Sequence, residues 1–189
     1  MVATFTLNVD YGGTDAAPGS SPTWTNLRFR TDDLNTQDLT NPVPIVAGLV
    51  KYSYARAVYV KCSAAPDTQV DNFKTYTDGG GFGTGIVTSY RTTFPTKNSG
   101  SSSGYIAATG TPGDTGTELV SLYGGAKADL FGKTSGSPLT GPTISEAGSI
   151  INDIGETTNY LILQCAVNGD TAAPGLKTAE TITFQYDEI

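Results

Sequence analysis

The sequence has no histidine, one methionine, one tryptophan and two cysteines among 189 residues. Each scarcity excludes something. Histidine is the commonest general base at neutral pH, so its absence rules out Ser-His-Asp and Cys-His catalysis. Mixed His/Cys zinc sets fall with it, and Cys62 and Cys165 do not form a C-x-x-C spacing. Charge is scarce too, at 15% of residues where about a quarter is usual. The eleven basic residues are scattered and the net charge is −7, so no nucleic-acid partner is expected. No apolar stretch approaches the ~18–20 residues that span a bilayer, and no membrane partner is expected. The opening MVATFTLNVDYGG lacks a basic region ahead of an apolar run, which reads as a chain made in a cytosol-like compartment.

What fills the space is glycine (23 residues), proline (10), threonine, serine and asparagine. Threonine favours a pleated backbone and the others punctuate it, which points to short strands joined by many turns. Residues 1–189 read as a single domain. In FTLNVDY, Phe5, Leu7, Val9 and Tyr11 alternate with Thr6, Asn8 and Asp10, the pattern of a half-buried strand. GTDAAPGSSP reads as a flexible linker, so residues 1–22 form an N-terminal strand plus linker. LRFR returns as a short strand with Leu27 and Phe29 inward and Arg28 and Arg30 outward. A polar, proline-punctuated loop, TDDLNTQDLTNPVP, follows.

Further along, Val58, Val60 and Cys62 face opposite to Tyr59 and Lys61, and AAPDTQ is a turn. VDNFKTYT is a strand whose inward side is ambiguous, since Phe73 and Tyr76 lie on opposite faces. IVTSYRTTFPT reads as an edge strand because of Pro95. KNSGSSSGYIAATGTPGDTG is low in complexity and weakly ordered, and TELVSLY is a short strand. Thr143 and Glu146 carry a capping-box spacing that suits one helical turn. NYLILQCAV, with Leu161, Leu163, Cys165 and Val167 on one face, and ETITFQYDEI, with Ile182, Phe184 and Tyr186 on one face, are the clearest strands. About eight strands without a βαβ rhythm imply an all-β fold. The expected form is an antiparallel β-sandwich, jelly-roll or immunoglobulin-like, with long Gly/Ser/Thr-rich loops and at most one short helix.

Few residues suggest chemistry. TDGGGFGTGIV resembles a phosphate loop, but after Gly79 and Gly81 the third glycine position holds Thr84. Starting from Gly81 and Gly83 it holds Ile86. No Lys-Ser or Lys-Thr follows, and the next segment is a strand, so the stretch reads as a glycine-rich hairpin. Asp32, Asp33, Asn35 and Asp38 offer oxygens for Ca²⁺ but lack the EF-hand spacing, and are read first as solvated loop caps. Asp67 and Asp71 read as turn caps. A glycosidase pair needs carboxyls about 5–9.5 Å apart, and no motif marks one. Cys62 and Cys165 are read as buried small hydrophobes, with a cross-sheet disulfide as the alternative. Tyr52, Tyr54, Tyr90 and Tyr105 lie in or near expected loops and could stack on sugar rings, although most aromatics in such folds are core. No catalytic residue, metal or cofactor is assigned.

Several strings are similar to virion structural proteins of tailed bacteriophages: APDTQVDNFKTYTDGGGFGTG, FPTKNSGSSSGY, SGSPLT, TISEAGSIIN, NYLILQCAV and ETITFQYDEI. The likeness runs from about Arg28 to Ile189. It implies a capsid cement or decoration protein, or a tail component, made in the host cytoplasm and located in the virion. No catalytic residues carry over from it. The expected partners are the major capsid protein or other virion proteins and further copies of the chain, as a homo-oligomer such as a trimer. Phe5, Leu7 and Val9 on the first strand, free to pair with a neighbour, and Phe82 in the glycine stretch, in contact with either the domain's own core or an adjacent subunit, are the expected interface residues. The alternatives are a tail-associated receptor- or carbohydrate-binding module and, behind it, a β-sandwich hydrolase.

Overall fold

A computed structural model describes residues 2–24, 26–35 and 40–189. The protein is nearly all β, with 40% of residues in strands and 4% in helix, arranged in antiparallel sheets that do not close into a barrel. The strands are β1 (Thr4–Thr14), β2 (Ala17–Ser20), β3 (Val50–Tyr52), β4 (Arg56–Ala64), β5 (Val70–Thr77) and β6 (Ile86–Arg91). They continue with β7 (Gly110–Thr111), β8 (Thr115–Gly116), β9 (Lys127–Asp129), β10 (Leu139–Thr140), β11 (Leu161–Asn168) and β12 (Ile182–Glu188). Helix α1 is Leu119–Tyr123.

The main sheet runs β2-β1-β4-β11-β6-β9, with β3 continuing the β4 side of β11. A smaller sheet, β10-β5-β12, packs on one of its faces. Register explains why the alternating residues gather there. Phe5, Leu7 and Val9 stand opposite Cys62, Val60 and Val58, and Val58 stands opposite Leu161. Together with Val70 and Phe73 of β5 and Phe184 of β12 they form the inter-sheet core.

The second face of the main sheet is covered as well. There Ala57, Tyr59, Tyr160 and Ile162 pack against Tyr105 and against Leu119 of α1. A sheet buried on both faces accounts for the nearly continuous apolar runs of β4 and β11, where simple alternation would leave one face in water. Asn8 and Asp10 of β1, expected on a solvent face, are buried under this cover, and Tyr160 donates a 2.5 Å hydrogen bond to Asp10. Gln164 is 2% exposed and fully engaged. It accepts from the Leu119 N–H at 2.6 Å and donates to the carbonyls of Ser53 and Thr117 at 2.8 Å each. That side chain ties the first amide of α1 to the central strand.

Several sequence expectations change. GTDAAPGSSP is no flexible linker: β1 runs to Thr14, turns at Asp15 and Ala16, and returns as β2. Tyr105 fastens this hairpin, donating from its hydroxyl to the Gly12 carbonyl at 2.8 Å. Tyr105 in turn orders the low-complexity stretch around it, since a local polar composition says nothing of one buried ring. TELVSLY holds helix α1, because Leu119, Leu122 and Tyr123 present one helical face to the same cluster.

The turn at Thr143–Glu146 becomes a 3₁₀ turn, Ala147–Ser149, without the expected capping box. Glu146 instead accepts from the amides of Ser99 and Thr157, and Thr143 accepts from the Asn159 amide. LRFR forms no strand. Arg30 is buried against Asp32 rather than pointing outward. Strand β6 ends at Arg91, short of Pro95, and lies between β11 and β9 rather than at an edge.

The glycine stretch is also redefined. β5 and β6 belong to different sheets, so TDGGGFGTGIV is a crossover between sheets and not a hairpin. At Gly85 (φ 77°) a β-carbon would meet the Ala172 nitrogen at 2.5 Å, so only glycine passes there.

Candidate interaction face

The strongest sequence candidates for ligand chemistry are spent inside the fold. Asp32 accepts from Arg30 Nε at 2.8 Å and from Asn41 at 2.7 Å. Burial alone would raise its pKa, but these hydrogen bonds outweigh it and hold the carboxyl below its ordinary value. Asp33 accepts from the Gly12 amide at 2.8 Å and pairs with Arg56 at 3.4 Å, and burial raises its pKa against the pull of Arg56. Asn35 accepts from the Arg28 amide at 2.9 Å. Asp38 lies outside the described residues.

Arg56, fully buried, explains this arrangement: it donates to the carbonyls of Arg28, Asp32 and Leu34. The acidic loop is therefore a clamp around two guanidinium groups, with Asp32 on Arg30 and Asp33 on Arg56. Among the described residues no group of three or more His, Cys, Asp or Glu side chains is placed to hold a metal. Asp71 lies within β5 rather than capping a turn.

Of the four candidate sugar-stacking tyrosines, Tyr54, Tyr90 and Tyr105 are buried, so their ring faces belong to the core, and Tyr52 is half-buried. Cys62 and Cys165 are both buried and unbridged, and burial pushes both thiols up, Cys165 to about 12.

The expected interface residues divide. Val9 is completely buried in the chain's own core, and β1 is paired with β4 along residues 4–10. On its other edge β1 meets β2 and the Pro22–Trp24 segment, where the Val9 amide donates to Pro22 and the Trp24 amide to Leu7. The first strand is therefore not a free arm. Phe82 is half-buried edge-to-face between Phe29 (6.2 Å between centroids) and Phe131 (5.6 Å) of its own chain.

Phe5 and Leu7 are different. Both are half-buried, and they line a groove of about 340 Å³ between the two sheets. Its opposite wall is Ile182, Phe184 and Tyr186 of β12, with Phe73 at the base. Phe5 meets Tyr186 at 4.8 Å and Phe73 at 5.6 Å, so an aromatic cluster closes one end. Ala3 is tied across the gap, its amide donating to Glu188 at 2.9 Å and its carbonyl accepting from Tyr186 at 3.2 Å.

The inward residues of β5 that pair with β12 are 0–3% exposed, but Ile182, Phe184 and Tyr186 are only half-covered. The sandwich is open along this side. Among the described residues β12 pairs with β5 alone, so its second edge presents backbone groups that no described strand pairs. Sequence alternation identified the inward face of β12 but carried no sign that nothing lies beyond it.

No family model, curated protein or solved structure matches the chain. No helix of the described residues is long and apolar enough to cross a membrane.

Proposed function

We propose that the chain is a structural component of a bacteriophage virion, a capsid cement or decoration protein that stabilises the assembled head through strand-edge and groove contacts. The observation that carries this reading is the open side of the sandwich: a long unpaired strand edge beside an apolar groove, in a domain whose remaining polar groups are largely satisfied. Such a side suits binding to a neighbour better than turnover of a small molecule, and the resemblance of the sequence strings to virion proteins supports the same role. A part that binds only the assembled shell stabilises it by mass action. The partners are the major capsid protein and further copies of this chain, with a trimer on a local threefold axis as the symmetric arrangement.

The test is to purify particles from infected cells and locate the protein by electron microscopy. Density for the domain at regular positions on the head, and heads that rupture more readily without it, are the expected results. A particle preparation free of the chain overturns the reading, and density confined to the tail moves the protein to a tail role.

A further inference from the structure

We propose that β12 receives an added β-strand from a partner protein. The incoming segment has apolar side chains at alternate positions and an arginine or lysine opposite Asp187. This deepens the assembly reading and rests on it only for who the partner is.

The first argument is the contrast among edges. The other edge strands of the two sheets are short: β2 has four residues and contains Pro18, β9 has three and β10 has two. Short edges and prolines are how folds prevent stray pairing. β12 has seven residues and no proline, so its edge is the long one left receptive.

The second argument is side-chain geometry. An added strand places every second side chain over the inter-sheet groove, beside Phe184 and Tyr186 and facing Phe5 and Leu7. The lining contains no charged residue, so those inward positions take valine, isoleucine or similar groups.

The third argument is charge, and it selects the occupant. Asp187 stands directly opposite Asp71 across β5 and β12, while Glu188, opposite Val70, faces the groove and accepts from the Ala3 amide. Like charges in that position repel. No ion pair among the described residues reaches Asp71 or Asp187, and Asp71 Oδ1 is buried without a hydrogen-bond partner. A cation on the outer face of an incoming strand, opposite Asp187, relieves this excess. A second copy would bring its own Asp187 and Glu188 and a further charge of −7, so a basic segment from a different protein is the better fit. Antiparallel pairing, the commoner arrangement, puts the basic residue at the start of the segment.

The test is a nuclear magnetic resonance titration of the full chain with the capped peptide Arg-Val-Thr-Val-Thr-Val. Saturable shifts and slowed amide exchange are expected within β12, with shifts at Phe5 and Leu7. Replacing the peptide arginine by glutamate weakens binding about fivefold at low salt. The Asp187→Lys chain loses about the same factor for the arginine peptide and regains it for the glutamate peptide. The proposal is overturned by the absence of saturable binding at millimolar peptide, by shifts located elsewhere, or by equal affinity for both peptides. It is also overturned if the chain alone sediments as a dimer with β12 amides protected, since a second copy then fills the edge. Failure here leaves the virion reading intact, and absence from particles leaves strand addition intact with another partner.

Discussion

β11 and β12 each carry apolar residues at alternate positions of one face, with β11 apolar on its other face as well, and they occupy opposite situations. β11 is flanked by β4 and β3 on one side and β6 on the other, and Leu161, Ile162 and Leu163 are fully buried. Among the described residues β12 has one neighbour, and its three inward side chains stay half-covered. Alternation records which way a side chain points, whereas burial depends on what the rest of the chain places around it. The central strand is where stability is concentrated, and the edge strand keeps both backbone and side chains available.

Amide exchange gives the widest expected separation. The β11 amides should exchange only through global unfolding, at least about a thousandfold more slowly than the outward-facing amides of β12. Equal protection would mean that the edge is covered in solution and would break the comparison.

Substitutions follow in order of size. Leu163→Ala should cost about 2–5 kcal/mol in urea unfolding, because it opens a cavity between rigid neighbours. Gln164→Ala should cost roughly 2–3 kcal/mol, since it strands the Leu119 amide and two carbonyls without partners, and the helical cover should loosen with it. Tyr186→Ala on β12 should cost only about 1–2 kcal/mol, because the ring is half-exposed already. A cost matching Leu163→Ala would show that the groove is closed. Asp187→Lys should raise stability slightly, by roughly 0.5 kcal/mol, by removing the repulsion with Asp71. A loss of stability on that change would contradict the charge reading of the edge.

The faces of the long strands were legible in the sequence, because a period of two leaves little choice once Phe5, Leu7 and Val9 or Leu161, Leu163 and Cys165 are apolar. What lay beyond them depended on pairing between distant segments. Nothing local says that β5 and β6 separate into different sheets, and the glycines between them suit a hairpin as well as a crossover. Leu119, Leu122 and Tyr123 fit a short strand or a helical turn, and Gln164, 45 residues later, decides for the helix. Arg30 reads as a solvent-facing cation until the acidic loop wraps it. At the candidate site, Phe5 and Leu7 were recognisable as apolar residues near one end of the chain. The receptive edge was not, since being an edge is a property of what fails to pair with β12.

The two thiols have a consequence of their own. Cys62 stands opposite Phe5 in the inter-sheet core, and Cys165 stands opposite Thr88 on the central strand. Both are free and shielded, with ionisation pushed upward by burial. Thiolate is the reactive form, so neither is disposed to couple with glutathione or with another cysteine. The domain has no redox-dependent staple and should fold to the same stability in reducing and oxidising surroundings. It can thus pass from one to the other without a maturation step.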